Sequence, residues 1–352
     1  MKSAQIRSVA AYLPEGRLDN KELAQVFSNW TEEKITRKLG IVTRPIADKN
    51  ETAVDLGVRA AERLLASGAV KREEIDFLVF CTQSPDYFLP TSACLIHKRL
   101  GLRNACGAFD VNLGCSGYVY GLAICKGLIE SGAAQKILFV TAETYSKYIN
   151  AKDRTTRPLF GDGAAATLLE ATECDKEDSF APIDAFEFGT DGKGADMLIV
   201  QAGASRTPST PETAIPFADA LGSFRSKEQL LMHGPGIFAF SIEVVPPLVK
   251  RLQETAQAKG AKIDAYVFHQ ANKFMLDRLR DLCEIDPSVY FNNVETRGNT
   301  VSSSIPIALI DATRDGLVAP KKRVALVGFG VGLSWGACLV RLPENFEVVP
   351  LE

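Results

Sequence analysis

The feature that most restricts the fold of this chain is a weak internal repeat. Residues 75–84 (IDFLVFCTQS) resemble residues 263–272 (IDAYVFHQAN), and each stretch is typical of a buried strand followed by polar residues. A second similarity relates the helix-like stretch ending at Gly132 to the one ending at Gly316, and it aligns Cys115 with Asn299. The similarity per residue is low, so chance is the alternative. If the repeat is real, the chain contains two copies of one βα unit related by a pseudo-twofold axis.

Strand-like and helix-like stretches alternate along the chain. Short apolar runs typical of buried strands occur at 4–13, 75–81, 136–141 and 164–169. Helical spacing of apolar residues, or a helix start signal, occurs at 20–27, 30–40, 54–65, 90–99, 118–130 and 237–259. Asn20 is the expected N-cap of the first helix, and Pro246 and Pro247 are expected to bend or break the last one. This alternation predicts an α/β protein whose parallel sheets are covered by helices.

The length of 352 residues suggests two domains. From 173 to 232 the periodic pattern is lost, and charged residues, glycine, proline, serine and threonine accumulate. We therefore expect an N-terminal half at 1–172, a connector or cap at 173–232 and a C-terminal half at 233–352.

The composition is that of a globular protein, with 46% hydrophobic and 24% charged residues. A net charge of -3 gives no reason to expect nucleic acid or an anionic membrane as the main partner. No apolar run reaches the roughly 18 residues of a membrane span, and we see no signal peptide, so a cytoplasmic location is expected. The eight cysteines, Cys174 among them, show no C-x-x-C pair, which favours reduced thiols over disulfides or a metal site.

Cys115 lies where a strand-like run ends and a helix-like stretch begins. A cysteine at a helix N-terminus is a candidate nucleophile, because unpaired backbone N–H groups and the helix dipole favour the thiolate. Gly114 and Gly117 flank the position and allow a substrate or other backbone to come close. The alternative is an ordinary buried thiol.

Three histidines are candidate bases. His97 reads as a helix-surface residue, and His233 lies in a turn before a helix. His269 ends a buried strand, at the edge where parallel sheets bind ligands. Asn299 alone reads equally well as a turn residue or N-cap. A cysteine, a histidine and an asparagine, each at a strand end, together support acyl-thioester chemistry.

Five motifs carry a resemblance to a known family. They are N-x-x-C-S-G at 112–117, F-G-D-G-A-A-A at 160–166, H-Q-A-N at 269–272, G-N-T at 298–300 and G-F-G-V-G-L-S-W-G at 328–336. Their order and spacing resemble those of β-ketoacyl-acyl-carrier-protein synthase III and its relatives in the thiolase superfamily. The individual glycine motifs are weak, whereas the set is specific.

The resemblance implies a thiolase-like α/β fold with five layers, αβαβα, built from two pseudo-twofold-related halves and usually found as a homodimer without a bound cofactor. It implies Cys115, His269 and Asn299 as the catalytic residues. In such enzymes the cysteine takes an acyl group from acyl-coenzyme A or an acyl carrier protein. Malonyl-acyl carrier protein then loses carbon dioxide, and its carbanion attacks the acyl-enzyme to give a β-ketoacyl product. Fatty-acid biosynthesis and polyketide formation both use this reaction.

The resemblance also assigns the groups around the thioester. His269 and Asn299 would bind the malonyl thioester oxygen, while the N–H of Cys115 and one from the 328–332 loop would bind the acyl oxygen. Val331 stands where the family commonly has a glycine in that loop, which puts the second donor in doubt because a β-branched residue restricts the backbone. Phe329 matches a phenylalanine thought to favour decarboxylation.

The expected substrate-binding set depends on the same resemblance. Arg154 matches an arginine that stacks on the adenine of coenzyme A, but Trp30 lies about one helical turn before the matching tryptophan position, which Lys34 occupies. Leu89 aligns with the position that closes the acyl pocket of the partner subunit. The set also includes Asn272, Gly234, Phe238 and Lys38. Basic residues after 272 (Lys273, Arg278 and Arg280) suit either carrier docking or a solvated helix face.

Two other functions remain open from the sequence. The acyl group on Cys115 could pass to an alcohol or amine, as in secondary metabolism or surface-sugar biosynthesis. The chain could also be a non-catalytic partner of an active homologue, although retention of all three candidate residues argues against this.

Overall fold

The computed structural model describes residues 2–173, 180–219 and 222–351, so Cys174 lies outside the described residues. The α-helices in this part are α1 (Asn20–Val26), α2 (Glu32–Leu39), α3 (Ala53–Ala66), α4 (Ser92–Leu100), α5 (Gly117–Glu130), α6 (Gly234–Ala258), α7 (Lys273–Leu282), α8 (Val294–Arg297) and α9 (Ser304–Arg314). The longer strands and the short strands that pair with them are β1 (Lys2–Tyr12), β2 (Arg17–Asp19), β3 (Thr43–Pro45), β4 (Phe77–Cys81), β5 (Gly107–Val111), β6 (Lys136–Glu143), β7 (Gly163–Glu173), β8 (Ile183–Thr190), β9 (Leu198–Ile199), β10 (Phe217–Ala218), β11 (Phe224–Arg225), β12 (Leu231–Met232), β13 (Ala265–Phe268), β14 (Tyr290–Phe291), β15 (Arg323–Gly330), β16 (Ser334–Arg341) and β17 (Glu347–Val348).

Two mixed sheets repeat one topology. The first has the strand order β17-β1-β7-β6-β4-β5, and the second has the order β14-β13-β15-β16-β8. Read from β1 and from β8, the next four strands follow in the same relative positions, with two antiparallel pairs and then two parallel pairs in each sheet. The repeat expected from the sequence is therefore confirmed in the sheet topology. The sheets are mixed, not purely parallel as expected, because β7 and β16 run against both of their neighbours.

The helices and sheets stack in five layers. Helix α3 packs on β1, β6 and β7 and on its neighbour α4, whereas α6 packs on β8, β15 and β16 and on its neighbour α7. Between the sheets, α5 and α9 contact strands of both. These two central helices are apolar around most of their surface, as their surroundings on both sides require. The expected αβαβα fold is confirmed.

The stretch 173–232 is not only a connector. It contributes β8, which pairs with β16 at the edge of the second sheet. An edge strand with several half-exposed positions lacks the continuous apolar run that identifies a strand buried on both faces, which is why the pattern did not reveal it. The second repeat thus begins with β8, before the expected boundary at 233.

Two local expectations also differ from the structure. Helix α6 continues through Pro246 and Pro247, so of the two expected outcomes, a bend or a break, the break is wrong. Buried side chains on both sides of the prolines, including Val245, Leu248 and Val249, anchor the helix in the core and outweigh the lost backbone hydrogen bonds. The N-cap of α1 is Asp19, not Asn20, since Asp19 accepts from the backbone N–H of Glu22.

Candidate active site

One cavity brings the three candidate catalytic residues together. It has a volume of about 580 Å³, and its lining includes Cys115, His269 and Asn299. Each follows the carboxyl end of a strand or the loop beyond it, as the sequence predicted. The walls are mostly apolar and include Leu159, Phe160, Leu198, Met232, Ile237 and Met275. Such walls exclude water from the thiol and suit an acyl chain or a pantetheine arm.

Cys115 lies just before α5 and is 4% exposed. Burial raises the pKa of its thiol to about 12, while the backbone N–H groups of Val331 and of Cys115 itself lower it. Burial therefore outweighs the helix terminus, and the resting group is a thiol where a thiolate was expected. The same two N–H groups are candidate donors to the carbonyl oxygen of an acyl group bound to the sulfur.

The loop after β15 approaches Cys115 closely. A Cβ atom on Gly330 would lie 2.8 Å from the Cys115 sulfur, so only glycine fits there without a shift. Gly332 has a positive φ of 141°, whereas Val331 does not require one. The flanking glycines thus take the conformations that a β-branched residue resists, and the Val331 N–H remains close enough to the sulfur to lower the pKa of Cys115.

Two serines fix this loop to the start of α5. The hydroxyl of Ser334 donates to the carbonyl oxygen of Val331 at 2.9 Å. The hydroxyls of Ser116 and Ser334 are 2.7 Å apart, and both side chains are buried. Because Ser116 directly follows the candidate nucleophile, the loop and the nucleophile are held as one unit.

His269 follows β13 and is buried. Its Nδ1 lies 2.7 Å from the hydroxyl of Ser304, and its ring stands edge-on to Phe329, with the ring centroids 5.6 Å apart. Burial lowers the pKa of the imidazole to about 3, although a backbone hydrogen bond with Val301 raises it. The imidazole is therefore neutral near neutral pH and carries one proton.

Asn299 is fixed through both its backbone and its side chain. Its N–H donates to Leu159 and its carbonyl accepts from the N–H of Gly161, each at 2.9 Å. The side-chain Oδ1 accepts from the N–H of Val301 at 2.9 Å, which assigns the amide orientation because a backbone N–H can only donate. The amide NH₂ group is thus left to donate to a ligand in the cavity.

Two family models match this chain. The model of 3-oxoacyl-[acyl-carrier-protein (ACP)] synthase III matches residues 109–192, and the model of the C-terminal part of that family matches residues 253–342. The β-ketoacyl-[acyl-carrier-protein] synthase III of Natranaerobius thermophilus is 34% identical over 342 residues, which cover 97% of this chain and 100% of that protein. This chain belongs to the synthase III family.

Solved structures of family members agree with this assignment. A crystal structure of a 3-oxoacyl-(acyl-carrier-protein) synthase III is 48% identical, has a TM-score of 0.91 and covers 96% of this chain and 99% of that chain. The priming β-ketosynthase of the R1128 polyketide biosynthetic pathway is 29% identical, with a TM-score of 0.82 and 97% coverage of both chains.

Four of the expected substrate-binding residues lie at the cavity of this synthase III family member. Lys38, Gly234, Phe238 and Asn272 all belong to its lining, as does Phe329. Asn272 also caps α7, because its side-chain oxygen accepts from the N–H of Met275 at 2.9 Å. The hydrogen bond that caps α7 therefore also fixes the position of the Asn272 side chain at the cavity wall.

Arg154 and Leu89 are not part of the described lining. Arg154 donates to the hydroxyl of Ser28 at 3.1 Å and lies 6.0 Å from the Phe27 ring. Trp30 packs edge-on against Phe27, and Lys38 lies 5.4 Å from the Trp30 ring centroid. Leu89 is 81% exposed. Arg154 and Trp30 both pack against Phe27, and the adenine-binding role that the resemblance implies for Arg154 stays a prediction.

Several residues at the site were missed by sequence reasoning. Arg37 and Phe274 line the cavity beside Lys38 and Phe238, and no periodic signal marks them. Glu143 is completely buried at the end of β6. A polar residue at the end of an apolar strand was the signal used for His269, and the same signal applies to Glu143.

The seven cysteines in the described part of the chain are free, and no group of three or more potential metal ligands occurs among the described residues. No helix in the described ranges is long and apolar enough to cross a membrane.

Proposed function

We propose that this protein is a condensing acyltransferase that forms an acyl-Cys115 intermediate and joins the acyl group to malonyl-acyl carrier protein. The observation that carries the assignment is the convergence of Cys115, His269 and Asn299 on one apolar cavity in a synthase III family member. Acyl-coenzyme A or acyl carrier protein supplies the acyl group, and no bound cofactor takes part.

In the first step the Cys115 sulfur attacks the thioester carbonyl of the donor. Because the thiol and the imidazole are both neutral at rest, proton transfer to His269 accompanies the attack and does not precede it. The N–H groups of Cys115 and Val331 then stabilise the tetrahedral oxyanion. The tetrahedral intermediate expels the donor thiol, which takes the proton back from His269, and Cys115 is left as a thioester.

In the second step malonyl-acyl carrier protein enters the same cavity. Loss of carbon dioxide leaves an electron pair on the neighbouring carbon, and negative charge spreads to the malonyl thioester oxygen. The Nε2–H of His269 and the NH₂ of Asn299 donate to this oxygen, and one such donor typically contributes about 100- to 1000-fold in rate. The carbon then attacks the acyl thioester, the β-ketoacyl product leaves, and the Cys115 thiolate takes up one proton.

Ser304 can support both steps. Its hydroxyl lies 2.7 Å from His269 Nδ1 and 2.9 Å from the carbonyl oxygen of Val301. When the hydroxyl donates to Val301, Nδ1 carries the proton and Nε2 can accept the proton of the Cys115 thiol. When the hydroxyl donates to Nδ1, the proton lies on Nε2, as condensation requires.

The proposed partners are argued from an exposed apolar stretch and from the basic residues at the cavity. We propose a homodimer, because Tyr87, Phe88 and Leu89 form an apolar stretch that is exposed in the protomer. The basic residues Arg37 and Lys38 at the cavity suit an acidic carrier protein or the phosphates of coenzyme A. Lys273 and Arg280 are paired with the nearby carboxylates Asp277 and Asp281, which favours a solvated helix face at those positions.

The cellular setting is part of the same proposal. The reaction suits the start of fatty-acid biosynthesis in the cytoplasm. Priming of a polyketide is the second setting, and the similarity to a priming β-ketosynthase supports it. The acyl chain itself distinguishes these settings.

The decisive experiment is intact-protein mass spectrometry with a panel of acyl-coenzyme A and acyl-carrier-protein donors. We expect a mass increase on Cys115 that Cys115→Ala abolishes, followed by a β-ketoacyl product and carbon dioxide when malonyl-acyl carrier protein is added. Acylation without carbon–carbon bond formation with any malonyl donor would overturn the proposal. Release of an ester or amide without carbon dioxide would instead identify a non-condensing transferase.

A further inference from the structure

A buried carboxylate that the reaction steps do not use lies behind the site. Glu143 is the last residue of β6 and has no exposed surface. No basic side chain forms an ion pair with it among the described residues. A buried carboxylate without a cation is costly and is retained only where hydrogen bonds replace its lost hydration.

Four residues supply those hydrogen bonds. The hydroxyls of Ser84 and Ser302 donate to Glu143 at 2.7 and 2.8 Å, and the N–H of Gln83 lies 3.1 and 3.2 Å from its two oxygens. The Thr82 hydroxyl is 3.4 Å away. Three of these donors follow β4 in the first half of the chain, whereas Ser302 belongs to the second half. Glu143 therefore ties the two halves together.

On the side of the second half, the hydrogen bond from Ser302 connects Glu143 to the turn that carries the candidate donor Asn299. Ser302 lies between Asn299, which projects into the cavity, and Ser304, which contacts His269. Val301 in this turn has a φ of +52°, an outlier for a β-branched residue. A strained turn of this kind persists only when surrounding contacts hold it.

On the side of the first half, the hydrogen bond from the Gln83 N–H connects Glu143 to the backbone just before the nucleophile. The side-chain oxygen of Gln83 accepts from the hydroxyl of Tyr145 at 2.7 Å. The same oxygen would lie 2.5 Å from a Cβ atom on Gly114, so Gln83 packs directly against that glycine. Glu143 thus contacts, through one residue on each side, both the backbone before Cys115 and the turn after Asn299.

We propose that Glu143 is a positioning residue that fixes the Asn299 turn relative to Cys115 for the condensation step. The proposal rests on the proposed function, since it assigns Asn299 to the malonyl thioester. Glu143 acts through Ser302 and Gln83 and does not touch substrate.

The ionised carboxylate is the form that suits this role. All four residues donate to it, and a protonated carboxyl would turn one acceptor position into a donor. Burial raises the pKa of Glu143 to about 7, although the hydrogen bonds lower it. The titratable groups that face it are Cys81, Cys115, Tyr145 and Tyr148, and burial raises the pKa of each, to about 12 for Cys115 and Tyr148. Among these groups only Glu143 changes charge near neutral pH, so the condensation rate should fall as the pH drops through about 7.

The test separates the two half-reactions in the full-length enzyme. Cys115 acylation is followed by intact mass, and condensation is followed from preformed acyl-enzyme after malonyl-acyl carrier protein is added. We expect Glu143→Gln to slow condensation about 10-fold or more, because a misplaced Asn299 loses part of the roughly 100- to 1000-fold that one donor contributes. Acylation should slow much less. The variant should also lack the loss of rate below about pH 7 that the wild type shows. Glu170→Gln, which alters a carboxylate that accepts from Gln5 on the same half, is the matched control.

Ser302→Ala provides an independent variant if Glu143→Gln does not fold. It removes the partner and leaves the carboxylate, so it should slow the same half-reaction. Adding it to Glu143→Gln should cause little further loss, because both substitutions break the same link.

Three outcomes would overturn the positioning role. They are unchanged condensation in both variants, equal loss in both half-reactions together with a lower melting temperature, and an unchanged pH profile in Glu143→Gln. A wild-type enzyme that does not condense would overturn the proposed function and this role together. Wild-type condensation with variants that match it would overturn the role alone.

Discussion

Burial sets the charge of the two residues that exchange a proton at this site. The pKa of Cys115 is raised to about 12 and that of His269 is lowered to about 3, so a thiolate–imidazolium pair is disfavoured at rest. A neutral pair protects the thiol from stray electrophiles. It also leaves His269 in the uncharged form that can donate from Nε2 once the acyl group is in place.

The first prediction concerns thiol reactivity. At about pH 7.5, iodoacetamide should alkylate the exposed Cys94 before Cys115, because the thiolate is the reactive form and the pKa of Cys115 is raised to about 12 by burial. Labelling of Cys115 should increase as the pH rises, since the thiolate fraction grows. Peptide mass spectrometry reads both sites, and Cys94→Ala removes the competing label. Faster labelling of Cys115 than of Cys94 at neutral pH would contradict this picture.

The second prediction concerns the His269 tautomer. Ser304→Ala removes the hydroxyl that can donate to Nδ1, so the tautomer protonated on Nε2 loses this hydrogen bond and condensation should slow by about 10-fold or more. Acylation, which uses the unprotonated Nε2, should change less. The rates of the two half-reactions are the measurement. Ser303→Ala is the control, because the Ser303 hydroxyl bonds to Thr141 and Gly163 and not to the imidazole; equal effects in the two variants would rule out a tautomer role.

Residue positions at the site were predictable where local sequence determines them. Cys115, His269 and Asn299 each interrupt an apolar or glycine-rich stretch with a polar side chain, and strand order then brings them to one cavity. Arg154 and Leu89 were not predictable in this way. Their surroundings depend on how the 27–38 segment packs and on what covers the 87–89 stretch, and neither is encoded near them in the chain.

At the level of elements, the end of β15 and the loop after it lie directly against Cys115 at the start of α5. A Cβ atom on Gly330 would meet both the Cβ and the sulfur of Cys115 at 2.8 Å. Ser116 and Ser334 prevent the loop from moving away to relieve this contact. The site therefore tolerates very little change at this point.

The third prediction uses this contact. Gly330→Ala should reduce the rate of Cys115 acylation by about 100-fold or more, since it displaces the sulfur from the N–H group of Val331. Gly192→Ala is the matched control, because a Cβ atom there meets no atom within 4 Å. Intact-mass kinetics of acyl-enzyme formation would measure both variants. An acylation rate in Gly330→Ala equal to that of the control would mean that the loop adjusts freely.

Element prediction from the sequence was most accurate in the core. Strands β4 and β13 and helix α5 are buried on both sides and have nearly continuous apolar patterns, whereas helix α3 has a periodic pattern because one face packs on the first sheet. The sequence did not predict β8, because an edge strand tolerates polar residues. It also did not predict that α6 continues through its two prolines, because tertiary packing overrides a local helix breaker. The missing information in both cases is which surface the element packs against.

For the whole molecule, the feature that points to assembly is a run of exposed apolar side chains just before α4. Tyr87, Phe88 and Leu89 are 61%, 86% and 81% exposed in the protomer. Three consecutive exposed apolar side chains are unfavourable in water and are typical of an interface. The proposed homodimer would bury them.

The fourth prediction tests this assembly. Phe88→Asp should convert dimers into monomers, because it places an unpaired charge in an apolar interface. Sedimentation velocity measures the change, and Val26→Asp, at another exposed apolar residue, is the control. A wild-type protein that sediments as a monomer, or a variant that stays dimeric, would contradict the proposal. Circular dichroism would confirm that the variant remains folded.

The shared central layer has a thermodynamic consequence for a chain built from two similar halves. Helices α5 and α9 come from different halves, yet each contacts strands of both sheets. Neither half can unfold without exposing the apolar surface of the other, so the two repeats should melt as one cooperative unit. The duplication visible in the topology therefore gives no independent folding domains, and a destabilising substitution in either repeat lowers the stability of the entire molecule.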